Sequence, residues 1–103
     1  MSEEAIRIMK KYPTRIPIIV NKHKYCSLPE IDKTKYLVDK DMNIREFLYV
    51  IRKRIQLDKS ESIFLTINNK LCSSNDIISK IYKNEKHEDG FLYFVYTNEN
   101  TFG

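Results

Sequence analysis

Two histidines, two cysteines and a few clustered carboxylates are the side chains of this 103-residue sequence best suited to chemistry, and their spacing builds no reaction centre. His23 and His87 stand in separate polar, charged stretches, and neither has a second ligand at metal spacing. Each reads as an exposed loop histidine, and no metal site is expected. Cys26 and Cys72 form no CxxC pair. In a chain without a secreted composition they read as reduced cytosolic thiols that contribute to packing. Glu85, Glu88 and Asp89 sit among lysines, as solvated charge rather than an acid/base pair. There is no GxGxxG, P-loop or GxSxG, and two glycines, Gly90 and Gly103, cannot build a phosphate-cradling loop. The chain does not read as an enzyme, and no cofactor is expected. One odd feature remains. The sequence ends ENTFG, whereas a tail usually carries polar residues and no aromatic.

The elements around these residues follow from periodicity. Ser2 suits the cap of a short helix with Glu3 and Glu4 in its first turn, stopped by Pro13. RIPIIVN alternates Ile16, Ile18 and Val20 as a strand, with Pro17 near its start. KYLVD is a second strand, Tyr36 and Val38 to one face and Leu37 to the other. Asn43 and Glu46 form a capping box for the main helix over 44–55. Its stripe Ile44, Leu48, Ile51, Ile55 is expected to face the core, with Phe47, Val50 and Arg54 along a flank more apolar than a solvated edge needs. SIFLTIN is the third strand, followed by a tight Asn68-Asn69 turn. Ser73 or Ser74 would cap a short helix carrying Ile77, Ile78, Ile81 and Tyr82. FLYFVYT, continuously hydrophobic for six residues, reads as a central strand buried on both faces. This order defines an α+β domain and suggests a β-grasp.

Hydrophobic residues make up 42% and charged residues 31%, enough for one core and one domain. No apolar run approaches the ~20 residues of a membrane helix, and the N-terminus has no secretory signal pattern. The net charge is +4, with Arg7, Lys10, Lys11 and Arg15 clustered early and Arg52, Lys53 and Arg54 forming a second group. Such a surface serves solubility, or suits acidic peptides, anionic lipids or nucleic acid. No RNP, KH or zinc signature supports a nucleic-acid partner.

KKYPTRIPIIV, DKTKYLV, FLYVIRKRI, IFLTINN and EDGFLYFVYTNENTFG occur in this order from Lys10 to Gly103. This set resembles the autophagy ubiquitin-like modifiers, the autophagy-related protein eight family that includes the GABA-receptor-associated protein and the microtubule-associated light chains. The resemblance implies a ubiquitin-like β-grasp: a four-stranded mixed sheet, a main crossing helix, and an N-terminal helix on the opposite face. Residues 1–98 would form the domain and 99–103 a flexible conjugation tail. It implies that Gly103 is joined to phosphatidylethanolamine on forming autophagosomes. A cysteine protease would expose the glycine or later release it. A ubiquitin-type activating enzyme would adenylate the carboxylate and hold it as a thioester, and a conjugating enzyme would pass it to the lipid amine. The chain would be the substrate of these enzymes, cytoplasmic until lipidated. A glycine without Cβ leaves its acyl carbon open to thiol and amine. Phe102 would be gripped by those enzymes.

The family also docks peptides with an aromatic and an aliphatic residue three apart, which add a strand to an open sheet edge. By motif, the aromatic pocket would be Glu4, Ile8, Pro17, Lys35, Leu37 and Phe91. The aliphatic pocket would be Tyr36, Val38, Met42, Phe47, Val50, Ile51 and Arg54, with Phe47 and Val50 at its rim. Arg15, Lys33, Lys35 and Arg54 would meet acidic residues around the peptide motif. An alternative reading is a modifier of protein lysines, or a trafficking adaptor that is never conjugated. The pattern departs from the family in three places: only Met1-Ser2 precede the first helix, Asp39 stands where proline is frequent, and Cys72-Ser73 replace a proline-containing stretch.

Overall fold

In the computed structural model, which describes residues 1–99, Ser2 caps the first helix, α1 (Glu3–Lys11), by accepting the Ala5 N–H at 3.1 Å. Glu3 and Glu4 in the first turn and Lys10 and Lys11 in the last both complement the helix dipole. β1 (Arg15–Lys22) runs antiparallel to β2 (Lys35–Asp39) and parallel to β5 (Leu92–Thr97). The Val20 N–H donates to Thr34 across the β2 side, so the odd-numbered residues of β1 aim their nitrogens at β5. Pro17 falls one residue before β5 pairing begins at Ile18, so its missing N–H breaks no ladder bond there.

The capping box forms as expected and opens α2 (Ile44–Arg54): Asn43 Oδ1 accepts the Glu46 N–H at 2.9 Å and Glu46 Oε1 accepts the Asn43 N–H at 3.1 Å. β3 (Phe64–Ile67) turns through Asn68 and Asn69, both at positive φ, into β4 (Lys70–Leu71). α3 (Ile78–Glu85) leads to β5. The sheet order is β2-β1-β5-β3-β4. It therefore has five strands, the two-residue β4 being added to the expected four.

The core lies between the sheet and α2. Ile16, Ile18, Val20, Tyr36, Val38, Leu65, Phe94 and Tyr96 meet Ile44, Phe47, Ile51 and Ile55 there. The buried stripe of α2 thus passes through Phe47 rather than Leu48, which is half-buried. Phe47 is 0% exposed because its ring fits between Tyr36 (edge-on, centroids 5.7 Å) and Phe94 (5.7 Å). α1 lies on the opposite face, where Pro17, Lys35, Leu37 and Tyr93 point and where Lys35 reaches Glu4. Being only nine residues long, α1 covers part of that face. Central strand β5 is consequently fully buried on one face and only partly on the other, where Val95 is half-buried and Tyr93 stays 37% exposed.

α3 is not capped by Ser73 or Ser74. Ser73 and Asp76 instead close a turn on each other, and the helix starts beyond Ile77 without a side-chain cap. The segment before it is tied to the entrance of α2: Asp76 O accepts the Ile44 N–H at 2.9 Å, Met42 O accepts the Ile78 N–H at 2.9 Å, and Asn43 bridges Ile77.

Candidate functional site

β2 begins the strand order, so among the described residues only β1 pairs with it and its outer edge is open. The alternation of the strand sends Tyr36 and Val38 under α2 and Lys35 and Leu37 toward α1. On the α1 side, Pro17 is buried opposite Leu37 in the β1–β2 register, and Leu37 is half-buried. Ile8 is half-buried one helical turn after Glu4. Phe91, just ahead of β5, is buried, and its N–H is fixed by Asp89 Oδ1 at 2.9 Å.

On the α2 side, Tyr36 and Val38 are buried, Met42 and Val50 half-buried, and Arg54 exposed. Phe47 and Ile51 are both 0% exposed. Phe47, expected at a rim, is instead fully buried in the core, and Val50 and Met42 carry the accessible apolar surface. The Tyr36 hydroxyl is buried without a partner among the described residues, and burial raises its pKa.

The cations around this edge are partly engaged. Lys35 Nζ donates to Glu4 Oε2 at 2.8 Å. Arg54 grips Asp32 in a fork, Nε to Oδ1 at 2.8 Å and Nη2 to Oδ2 at 3.3 Å. The Arg54 hydrogen bond holds the Asp32 carboxyl below its ordinary range, and the same bond raises Arg54. Lys33 stands over the Tyr36 ring at 5.2 Å and Arg15 near the Tyr12 ring at 5.8 Å. Asp39 turns back to accept the Asp41 N–H at 2.8 Å. Asp32 and Glu4 thus occupy two of the four cations predicted to meet an acidic partner. Asp32 was not singled out by sequence reasoning, because a carboxylate 22 positions before its arginine leaves no local signal.

The remaining chemical candidates are structural. His23 Nδ1 accepts the Tyr25 N–H, and His87 Nδ1 accepts the Asp89 N–H, so each histidine shapes its own turn. Burial pushes the Cys72 thiol up to about 12, which keeps it from acting as a thiolate. Cys72 lines a groove of about 350 Å³ between β4 and α3, with Leu71, Ile77 and Ile81. Sequence reasoning missed this groove because its apolar residues come from the two strands β3 and β4, a loop and α3, with no shared period. Among the described residues no three His, Cys, Asp or Glu side chains could hold a metal ion, and no helix is long and apolar enough to cross a membrane.

A helix crossing one face of a mixed sheet, with parallel β1 and β5 at its centre, defines a ubiquitin-like protein. The chain belongs to the Atg8 family: the family model described as "Autophagy protein Atg8 ubiquitin like" matches residues 1–103. It is similar to autophagy-related protein 8e of Arabidopsis thaliana, 50% identical over 97% of this chain and 82% of that protein. Similarity to autophagy-related protein 8B of Oryza sativa subsp. indica is 49%, over 97% of this chain and 84% of that one. Among solved structures, the crystal structure of Trypanosoma brucei ATG8 superposes with a TM-score of 0.89 at 37% identity, covering 97% of this chain and 86% of that chain. Gly103 and Phe102 lie outside the described residues, as does all of the expected tail except Glu99.

Proposed function

We propose that this chain is a modifier, not an enzyme, joined through Gly103 to phosphatidylethanolamine, and that its β2 edge docks peptides with an aromatic-x-x-aliphatic motif. The observation that carries the docking half is the open edge of β2 between two apolar sets, half-buried Ile8 and Leu37 with buried Pro17 and Phe91 on the α1 side and half-buried Met42 and Val50 on the α2 side. A peptide strand added there would gain backbone hydrogen bonds, and its alternate side chains would enter the two sets. Acidic residues flanking the motif would exchange with Glu4 at Lys35 and with Asp32 at Arg54. These pairs are exposed, so the exchange costs little and chiefly selects partners.

Conjugation rests on family membership and on a glycine in the position the family's enzymes use. The partners are then a ubiquitin-type activating enzyme, a conjugating enzyme, a cysteine protease and a phosphatidylethanolamine membrane. The cytoplasmic chain would become membrane-bound on autophagosomes or other vesicles. Titration calorimetry with an aromatic-x-x-aliphatic peptide tests the docking half. Leu37→Ala and Lys35→Ala are expected to weaken binding, Leu37→Ala by roughly tenfold for a half-buried aliphatic contact. Unchanged affinity in both variants would remove the pocket assignment.

A further inference from the structure

The most exposed aromatic of the described residues belongs to neither the core nor the β2 edge: Tyr25 is 71% exposed, at the tip of the turn that follows β1. The turn is rigidly built. The Cys26 N–H donates to His23 O at 3.0 Å, and the Tyr25 N–H donates to His23 Nδ1 at 3.1 Å. Cys26 and Leu28 are buried behind it. Lys24 Nζ lies 5.0 Å from the centre of the Tyr25 ring, so the tip presents an aromatic and a cation together.

This tip stands at the end of the sheet from which the tail departs. β1 and β5 are parallel, with Lys22 beside Tyr96, so both chains leave at the same end. The His23 N–H donates to Tyr96 O at 2.9 Å. Ser27 and Asn98 bond each other twice, the Ser27 N–H to Asn98 Oδ1 at 3.3 Å and the Asn98 amide to Ser27 Oγ at 2.6 Å. The turn is thereby pinned to the residue that precedes Glu99. Four residues separate Glu99 from the carboxylate of Gly103, at most about 14 Å of extended chain.

We propose that the Lys24–Tyr25 tip is a membrane-contact site, resting on the reading that Gly103 carries the lipid. A bilayer holding that lipid lies within about 14 Å of the sheet end, which places the tip at its headgroup layer. Tyrosine favours this layer because its ring is apolar and its hydroxyl wet, and the Lys24 ammonium meets lipid phosphate. Lys22 contributes less, since it donates to Cys26 O and approaches Glu30. Glu30 and Glu99 are acidic groups at this end, and Asp58 and Glu61 line the groove they share with Ser27 and Asn98, so the contact forms in the tethered chain and not by charge attraction of the free one.

The sequence has no tryptophan, so Tyr25→Trp introduces a single indole at an exposed position. The full chain, extended by a C-terminal polyhistidine, is bound to phosphatidylcholine–phosphatidylserine vesicles containing a nickel-chelating lipid, which bypasses the conjugating enzymes. The Tyr25→Trp indole is expected to shift to the blue on tethering and to be quenched roughly twofold by brominated lipid. The control is Tyr12→Trp, between Lys11 and Arg15 at the opposite end of β1, which should keep the emission of water. Lys24→Glu should reduce the Tyr25→Trp response. No shift at position 25, or equal responses at positions 12 and 25, would overturn the proposal, the first pointing to a protein surface as the occupant of the tip. A chain that responds here but forms no lipid adduct with the enzymes would refute the conjugation reading and leave the contact intact.

Discussion

Replacing Gly90 with alanine should loosen the attachment of α1 to the sheet. Gly90 has φ +94°, a conformation that side-chain-bearing residues rarely adopt. A Cβ there would stand 2.7 Å from Ala5 Cβ and 2.7 Å from Met1 Cε. The Met1 methyl can swing away, but Ala5 is fully buried and its Cβ moves only with α1. Backbone strain of about 1–3 kcal/mol and forced overpacking of about 1–3 kcal/mol sum to roughly 2–6 kcal/mol. That is a large share of the ~5–15 kcal/mol that holds a domain of this size. With a urea slope of about 1–2 kcal/mol per M, the unfolding midpoint should fall by on the order of 2 M. Displacing α1 also strains the Ser2 N–H and Oγ–H bonds to Asp89 O and the Glu4–Lys35 pair, so peptide affinity should fall with it. Urea unfolding followed by circular dichroism reads the first effect. Ala5→Gly removes the opposing methyl, and in the Gly90→Ala background it should recover about 1 kcal/mol relative to additivity. A midpoint within experimental error of wild type, or strict additivity of the two changes, would show that α1 is not held this way.

Two further outcomes follow from the site. Phe47→Ala should destabilise the chain by about 3–5 kcal/mol, as a fully buried ring does, whereas Val50→Ala should cost about 1 kcal/mol and chiefly weaken peptide binding; equal stability losses in urea would return Phe47 to the rim. Asp32 is held low first by its hydrogen bond to Arg54, so the pair's contribution is complete above the ordinary carboxylate range and is lost as pH falls through the lowered pKa of Asp32. Arg54→Ala should raise the Asp32 titration toward its ordinary value in a carbon-detected NMR titration, and an unmoved Asp32 would mean the fork does not persist in solution.

Much of the architecture was legible in the sequence because its signals are local. The Asn43–Glu46 box, the Ser2 cap, the Asn68-Asn69 turn and the alternation of β1 and β2 all depend on residues a few positions apart. The phase of α2 was not legible, since Ile44, Phe47, Leu48 and Ile51 are all apolar. The rings of Tyr36 and Phe94, far away in sequence, decide between Phe47 and Leu48. FLYFVYT read as doubly buried because composition does not reveal how little of the second face α1 covers. Tyr93 stays partly exposed there, with its hydroxyl bonded to Asp89. Ser73 looked like a cap, but the ties of residues 74–78 to the mouth of α2 move the start of α3 beyond Ile77. In the candidate site, motif resemblance indicated the residue sets. Which of them are buried, which are accessible and which cations are already paired depend on contacts 11 to 47 positions apart, and these leave no trace in spacing.

Conjugation is the claim on which the account most depends. The chain is incubated with ATP, family activating and conjugating enzymes and phosphatidylethanolamine vesicles, and the product is read by intact mass. The account predicts a wild-type adduct heavier by one phosphatidylethanolamine less water, linked at Gly103, and little or none for Gly103→Ala in a chain of unchanged stability. No lipid adduct from wild type, or one formed equally well by Gly103→Ala, would contradict it.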